Sequence, residues 1–155
     1  MIIVGIDPGF SGAICLIESS NVATPSLFDM PILKGRRTEL NLIGIRELLS
    51  RADHIFLEKA QSMPGQGISS TGRYLMSYGD IRGICVGLSK PYTEVRPHTW
   101  KSVMMRDMPK EKDASIIRVQ QLFPDLLFRR KKDHHKADAL LLAMYGVNYL
   151  TACKA

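Results

Sequence analysis

The chain has 155 residues, of which 45% are apolar and 23% charged, and its formal net charge is +6. This length suits one domain with a sizeable core, and no stretch approaches the roughly 20 apolar residues of a membrane span. The excess of basic residues favours a polyanionic partner, although modest positive charge is common. Three cysteines without metal-ligand spacing, and a Met1 that runs directly into a strand, predict reduced thiols and a cytoplasmic protein without a signal peptide.

The first twelve residues predict a buried strand that ends in a carboxylate. Residues 2–6 offer apolar surface on both faces of an extended segment, which is typical of a central strand. Pro8 cannot donate to a sheet ladder and Gly9 permits positive φ, so the strand ends at Asp7. Ligands of open α/β sheets bind at the carboxyl ends of strands, which makes Asp7 a candidate functional residue. The alternative is that Asp7 only caps its own turn.

The segment 54–58 repeats this pattern further along the chain. Ile55, Phe56 and Leu57 form an apolar run that ends at Glu58. Neighbouring strands lie about 4.8 Å apart, so the carboxylates of Asp7 and Glu58 can share one cation if their strands are adjacent.

Periodicity predicts the remaining elements in chain order. Strands over 12–18 and 27–30 complete a meander with the first strand, and a fifth strand covers 91–95. Helices are predicted over 38–51, with Thr38 as N-cap, over 71–88, from 98 or 99, from about 110 to 122, and over 134–150. The buried stripe of the 38–51 helix comprises Leu40, Ile43, Leu48 and Leu49.

Two features between residues 61 and 88 have open alternatives. The Gly/Ser/Pro loop 61–72 is expected to be mobile and near the acids, and its Met63 either wedges between bases or tucks under the loop. In the following helix Gly79, Gly83 and Gly87 recur every four residues. Such a row implies close approach of another backbone, either from this chain's own sheet or from a second subunit.

Basic residues occur in groups that suit contact with phosphates. The polar loop 31–37 and the segment before the last helix each carry such a group. Lys101 and Lys112, in the two predicted helices between residues 97 and 122, are further candidates. A solvated charged face is the alternative for each group. The candidate DNA-binding residues are Arg36, Arg37, Lys101, Lys112, Arg129, Arg130, Lys131 and Lys132, together with Met63.

The last helix carries an acid inside an apolar surface. Its residues 137–144 are apolar nearly all round apart from Asp138, and a buried carboxylate needs a cation, a proton or donors. His135 and His134 precede Asp138 by three and four residues, so either ring can lie beside it. Asp133 is predicted to be the N-cap.

Three carboxylates at element ends, with an imidazole beside the third, are typical of a Mg²⁺ or Mn²⁺ site. Two such ions about 3.5–4 Å apart stabilise both the attacking and the leaving oxygen of a phosphodiester displacement. The motifs of competing chemistries are absent from the sequence: it has no P-loop, no Gly-x-Ser-x-Gly elbow and no HExxH.

The chain resembles the RuvC family of Holliday junction resolvases, with phage-type members the most similar. The resemblance lies in the order of elements and in the motifs GIDPGFSGA, FLEKAQ, RPHTWK and HHKADALLLA. It implies one RuvC-like nuclease domain over residues 1–155, with a ribonuclease-H-like α/β fold built on a mixed five-stranded sheet flanked by helices. It also implies a homodimer that makes paired, Mg²⁺- or Mn²⁺-dependent nicks in four-way DNA junctions, in the cytoplasm of a bacterial host if the chain is phage-encoded.

The same resemblance assigns residue roles. The catalytic and metal-binding positions correspond to Asp7, Glu58, His135 and Asp138, and Lys101 and Lys112 correspond to basic residues that contact DNA. The family's aromatic residue in the loop after its glutamate has no counterpart in residues 61–72.

From these residues follows a mechanistic hypothesis. Asp7 is shared between two ions, His135 and Asp138 hold the ion that activates water, and Glu58 holds the ion at the leaving 3′ oxygen. A neutral imidazole in place of a fourth acid is expected to favour Mn²⁺ over Mg²⁺.

Three other functions fit parts of the sequence. The segment 7–12 resembles the phosphate hairpin of actin-like and sugar-kinase-type proteins, but those need two related domains and this chain is short for both. A nuclease of the same fold acting on forks, flaps or RNA is a second possibility. The third is a junction-binding module without catalysis.

Overall fold

The computed structural model describes residues 1–61, 65, 67–111 and 113–153. The strands are β1 (Ile2–Asp7), β2 (Ala13–Glu18), β3 (Asn21–Asp29), β4 (Ile32–Leu33), β5 (Glu39–Leu40), β6 (His54–Glu58) and β7 (Tyr92–Val95). The helices are α1 (Leu42–Ser50), α2 (Ile68–Gly87), α3 (Pro97–Met104), α4 (Ala114–Leu122) and α5 (His134–Ala152), the last preceded by a 3₁₀ turn, Lys131–Asp133.

The strands β3-β2-β1-β6-β7 form a mixed sheet in that order. The first three are antiparallel, while β6 and β7 run parallel to β1. The predicted meander and the predicted mixed five-stranded sheet are therefore confirmed. Because β1 is central, its carboxyl end lies beside that of β6, and Asp7 is opposite Ala13, which is in turn opposite Asp29 of β3.

Helices cover both faces of this sheet, as expected for strands that are apolar on both sides. One face packs against α3, α4 and α5, and the other packs against α1 and α2. The contact between β1 and α5 is close at Gly5, where an added Cβ would lie 2.2 Å from the carbonyl oxygen of Ala139. Glycine at this position therefore allows α5 to lie directly over β1.

The predicted start of the first helix is wrong. α1 begins at Leu42, where the Asn41 side chain accepts a hydrogen bond of 3.0 Å from the Gly44 amide, and Thr38 instead precedes β5. The residues before the helix pair β4 with β5 in a hairpin, which periodicity did not reveal because each strand has two residues. As a result Ile43 is 70% exposed, whereas Ile45 faces the core.

Other boundaries shift by a few residues. β3 begins at Asn21 and not at 27, because its first half is a largely exposed edge strand without an apolar run. α4 begins at Ala114 and not near 110. α2 begins at Ile68, so the loop after β6 is shorter than predicted.

The glycine row of α2 points away from the sheet. A Cβ added at Gly79, Gly83 or Gly87 would meet no atom of the described residues within 4 Å. Packing of this row on the chain's own sheet is thus wrong, and the row is open.

Two further findings concern the cysteines and the possibility of a membrane-spanning helix. All three cysteines are free, with Cys15 and Cys85 buried. Among the residues that the structure describes, no helix is long and apolar enough to cross a membrane.

Candidate active site

Two adjacent parallel strands bring the first two candidate acids to one edge. Ile6 of β1 is opposite Leu57 of β6, so Asp7 and Glu58 follow at neighbouring positions at the carboxyl ends of their strands. Asp7 is 7% exposed, at the point where the strand gives way to the Pro8 turn.

The first turns of α5 add a histidine and the third acid. His135 Nδ1 lies 2.6 Å from Asp7 Oδ2, and this hydrogen bond raises the pKa of His135. His134 Nδ1 instead lies 2.9 Å from the carbonyl oxygen of Lys131. Of the two histidines that sequence left open, His135 is therefore the one that contacts Asp7. Asp138 follows one turn later and is largely buried.

Helix α3 supplies partners for two of the acids. Pro97 begins the helix, slightly before the predicted start at His98 or Thr99. The buried Trp100 donates a hydrogen bond of 2.7 Å from Nε1 to Glu58 Oε2. The neighbouring Lys101 Nζ lies 3.8 Å from Asp138 Oδ2. The predicted basic residue Lys101 thus lies at the acids.

Two residues that form hydrogen bonds with the acids were not predicted from the sequence. Trp100 gave a usable signal, since it is the chain's one tryptophan and a buried indole N–H usually finds an acceptor. Ser115 of α4 donates a hydrogen bond to Asp138 Oδ1, and nothing in the sequence around Ser115 indicated this contact.

The acids are insufficiently neutralised. Burial, followed by the charge of Asp7 and assisted by that of Asp138, raises the pKa of Glu58 to about 7. Burial also raises the pKa of Asp138, against the lowering effect of Lys101. Burial together with Asp7 and Glu58 raises the pKa of Tyr74 to about 12. The arrangement therefore favours an added positive charge, either protons or a cation.

The donor set fits a hard divalent cation. Three carboxylates and one imidazole are ligands that Mg²⁺ and Mn²⁺ accept. Within the described residues, no three such side chains stand close enough together to hold one ion in their present rotamers. Glu58 and Asp138 are turned toward Trp100 and Ser115, so joint coordination needs side-chain rotation.

Two cavities adjoin the acids. One of about 570 Å³ contains Asp7 and His135 and is also lined by Arg73 of α2. The other, of about 630 Å³, contains Asp138 and Lys101. A polymer that crosses the acids has room on either side.

The predicted DNA-binding residues other than Lys101 divide into three groups. Arg36 and Arg37 are exposed at the tip of the β4–β5 hairpin, and Arg37 lines a third cavity together with Arg73. The four residues 129–132 are all exposed, and two of them, Arg130 and Lys132, are ion-paired with Asp29. Lys112 and Met63 lie outside the described residues.

Asp133 occupies the N-cap position of α5, but its side chain makes no capping bond there. It points back to accept hydrogen bonds from the backbone amides of Arg129 and Arg130, at 3.0 and 2.8 Å. The predicted N-cap position of Asp133 is therefore confirmed, but its side chain caps the preceding 3₁₀ turn and not α5.

Comparison with known proteins shows which solved structures share this fold. No protein-family model matches the chain. A Thermus thermophilus RuvC structure superposes with a TM-score of 0.65 at 16% identity, covering 99% of this chain and 97% of that one. The chain has a RuvC-like fold. A structure of T. thermophilus RuvC in complex with a Holliday junction substrate gives a TM-score of 0.69 at 14% identity, over 98% and 96% of the two chains.

One relative is similar in sequence. The chloroplastic Holliday junction resolvase MOC1 of Chlamydomonas reinhardtii is 31% identical over 130 residues, which cover 73% of this chain. The chain spans only 15% of the length of that relative. The fold similarity confirms the predicted ribonuclease-H-like α/β class.

Proposed function

We propose that this RuvC-like chain is a metal-dependent endonuclease that resolves four-way DNA junctions by paired nicking. The observation that carries the proposal is an insufficiently neutralised cluster of acids, in which Asp7 and Glu58 at the carboxyl ends of β1 and β6 are joined by Asp138 of α5. The substrate is suggested by the relative named a Holliday junction resolvase and by the RuvC solved with a junction substrate.

The acids are proposed to hold two Mg²⁺ or Mn²⁺ ions. When bound, these ions supply Lewis acidity to the attacking and leaving oxygens. Asp7 serves both positions, His135 and Asp138 serve the side of the attacking water, and Glu58 serves the side of the leaving oxygen. In-line attack of water on phosphorus breaks the bond to the 3′ oxygen and leaves a 5′-phosphate beside a 3′-hydroxyl.

Basic residues around this site are proposed to bind the DNA backbone. Lys101 is the nearest to the acids and suits a phosphate beside the cut. Arg36 and Arg37 at the hairpin tip, and Arg129 at the other side, are exposed and suit phosphates further along. Lys112 and Met63 remain predictions for the same role.

Paired nicking needs two sites, and α2 offers a surface for a second copy. Met76 and Val86 are 71% and 62% exposed, and they share a helical stripe with the open glycine row Gly79, Gly83 and Gly87. We propose that two copies pack through this stripe. Gly83→Leu is expected to shift sedimentation toward monomer and to replace paired nicks by single ones, and an unchanged dimer would contradict this interface.

The test of the function uses an end-labelled synthetic four-way junction, incubated with Mn²⁺, Mg²⁺ or EDTA. Wild type is expected to make symmetric paired nicks that need metal, and Asp138→Asn is expected to make none. Asp125→Asn, which changes an exposed aspartate between α4 and α5, is the matched control and should cut like wild type. Binding without any nick would instead indicate a junction-binding module.

Forks, flaps and RNA duplexes are tested beside the junction. If the protein cuts only these substrates, the proposed hydrolysis stands, but the protein is then a general structure-selective nuclease and not a junction resolvase. Two finer predictions belong to the same proposal: that residues 1–155 act as one phage-type nuclease domain, and that the protein acts in the cytoplasm.

A further inference from the structure

The basic segment before α5 is not a row of four equivalent cations. Arg130 makes a two-pronged contact with Asp29 at the end of β3, with Nη1 at 2.8 Å from Oδ2 and Nη2 at 2.9 Å from Oδ1. Lys132 Nζ lies 2.9 Å from Asp29 Oδ2, and Lys136 Nζ lies 3.4 Å from Oδ1. One carboxylate on the sheet therefore contacts three cations around the start of α5.

A second carboxylate holds the same segment from the helix side. The buried Asp133 accepts bonds of 2.9 and 2.6 Å from Nε and Nη2 of Arg130, in addition to its backbone contacts. The Arg130 guanidinium thus joins Asp29 to Asp133, and its planar donors suit two carboxylates at once. These contacts connect the sheet to the 3₁₀ turn and to α5.

The contacts lie in one row with the candidate active site. Asp29, Ala13 and Asp7 are directly opposite one another on β3, β2 and β1, so their side chains leave the sheet on the same face. Asp7 meets α5 through His135, and Asp29 meets it through Arg130, Lys132 and Lys136. The start of α5 is therefore attached to the sheet at two points about two strand spacings apart, or roughly 10 Å.

We propose that Asp29 is a positioning residue: it fixes the start of α5 and so holds His135 and Asp138 in place for the divalent cations. Arg130 and Lys132 then serve the metal site through Asp29. Arg129 and Lys131 form no ion pair with another described residue, and they serve the DNA. This role rests on the proposed function, because it concerns the same acids. Direct partners of metal ligands commonly change metal affinity by 10–100-fold when they are lost, and Asp29, which acts through Arg130 and Lys132, is expected at the lower end of that range.

The first experiment measures Mn²⁺ binding to the metal-free protein by electron paramagnetic resonance, which needs no DNA and no cleavage. Asp29→Asn keeps the shape of the side chain but removes its charge, and we expect it to weaken Mn²⁺ binding roughly tenfold. Asp29→Glu keeps the charge and is expected to recover part of the affinity. Hydrogen exchange at residues 129–138 should become faster in Asp29→Asn alone. Affinity equal to wild type in Asp29→Asn would overturn the proposal.

A second pair of variants separates positioning from DNA contact. Arg130→Ala is expected to weaken Mn²⁺ binding and to lower kcat, with little change in junction affinity. Arg129→Ala, its neighbour in the same segment, is expected to weaken junction binding, to reduce the salt dependence of that binding, and to leave Mn²⁺ binding unchanged. If Arg130→Ala weakens only junction binding, Arg130 is a DNA contact and the positioning role is wrong.

Failure of this proposal differs from failure of the proposed function. A wild type that binds Mn²⁺ but cuts no nucleic acid would contradict the function, while the Asp29→Asn comparison would still test the positioning role. A wild type that binds no Mn²⁺ would overturn both.

Discussion

Two groups of carboxylates hold the start of α5 to the sheet, and their electrostatics are opposite. In the active-site group, Asp138 lies 3.8 Å from the ammonium of Lys101, Asp7 contacts the imidazole of His135, and burial raises the pKa of Glu58 to about 7. In the other group, Asp29 and Asp133 contact Arg130 and its neighbours, and hydrogen bonds from these cations hold the pKa of both carboxyls below its usual range.

The difference shows which carboxylates are neutralised within the chain and which favour an added cation. Both groups contact the start of α5, but the Asp29 side chain is 38% exposed, whereas that of Asp138 is 16% exposed. The number of guanidinium and ammonium groups in contact also differs. Carboxylates with several such contacts complete a structural connection, whereas buried carboxylates with few of them raise one another's pKa and suit a bound cation.

The largest expected effect comes from removing a charge in the active-site group. Asp7→Asn should lower junction cleavage by at least about 1,000-fold, because Asp7 is the proposed ligand of both ions, at the attacking and at the leaving oxygen. Junction binding, measured by gel shift, should persist. Asp29→Asn should lower cleavage far less. Similar losses in the two variants would erase the distinction between the groups.

The two groups should also respond oppositely to pH in the metal-free protein. Glu58 keeps its proton in the folded state up to about pH 7, whereas the unfolded chain loses it near 4.5. Unfolding therefore releases a proton in this window, and stability falls as pH rises through it, by about 2–3 kcal/mol. Glu58→Gln should flatten this fall in urea titrations between pH 4.5 and 7.

The pH dependence of stability that Asp29 contributes has the opposite sign. Its folded pKa lies below the ordinary value of 3.8, so its contribution is present above that pH and is lost as the solution becomes more acidic. Asp29→Asn should therefore leave the slope above pH 4.5 unchanged and reduce only the loss of stability below 3.8. A changed slope near pH 6 in Asp29→Asn would mean that the two groups are coupled.

A smaller effect is expected from the indole that contacts Glu58. The Trp100 hydrogen bond lowers the pKa of Glu58, so Trp100→Phe should raise that pKa further while keeping most of the packing. The fall in metal-free stability should then extend to higher pH, and cleavage near neutral pH should drop roughly tenfold. Cleavage that drops equally at all pH values would indicate a packing defect instead.

The smallest expected effect concerns the choice of metal. His135→Asp replaces the imidazole by a fourth carboxylate, which removes the nitrogen ligand and adds one negative charge. The ratio of cleavage rates in Mn²⁺ and Mg²⁺ should shift toward Mg²⁺ by a few-fold. An unchanged ratio would contradict a ligand role for His135.

Much of the sheet and the positions of the acids could be predicted from sequence. Apolar runs ended by Asp7 and Glu58 indicate both the buried strands and the ends at which ligands bind, since local pattern and burial agree there. The apolar surface around Asp138 indicated a buried acid in the same way. These features depend on residues that are neighbours in the chain.

The contacts that could not be predicted from sequence join residues that lie far apart in the chain. Asp29 meets Arg130 across 101 residues, and Trp100 meets Glu58 across 42. A run of basic residues looks the same whether its charges are free or paired, so Arg130 and Lys132 were predicted to bind DNA. The β4–β5 hairpin was missed because two-residue strands carry no period.

The most direct measurement is anomalous diffraction from crystals of the chain soaked in Mn²⁺. The account predicts anomalous peaks within bonding distance of the Asp7 carboxylate, with Glu58, His135 and Asp138 turned toward them and, if two ions bind, a separation of about 3.5–4 Å. No peak is expected at Asp29. A crystal that takes up Mn²⁺ elsewhere and leaves Asp7 without a peak would contradict the central claim that Asp7, Glu58 and Asp138 form the metal site.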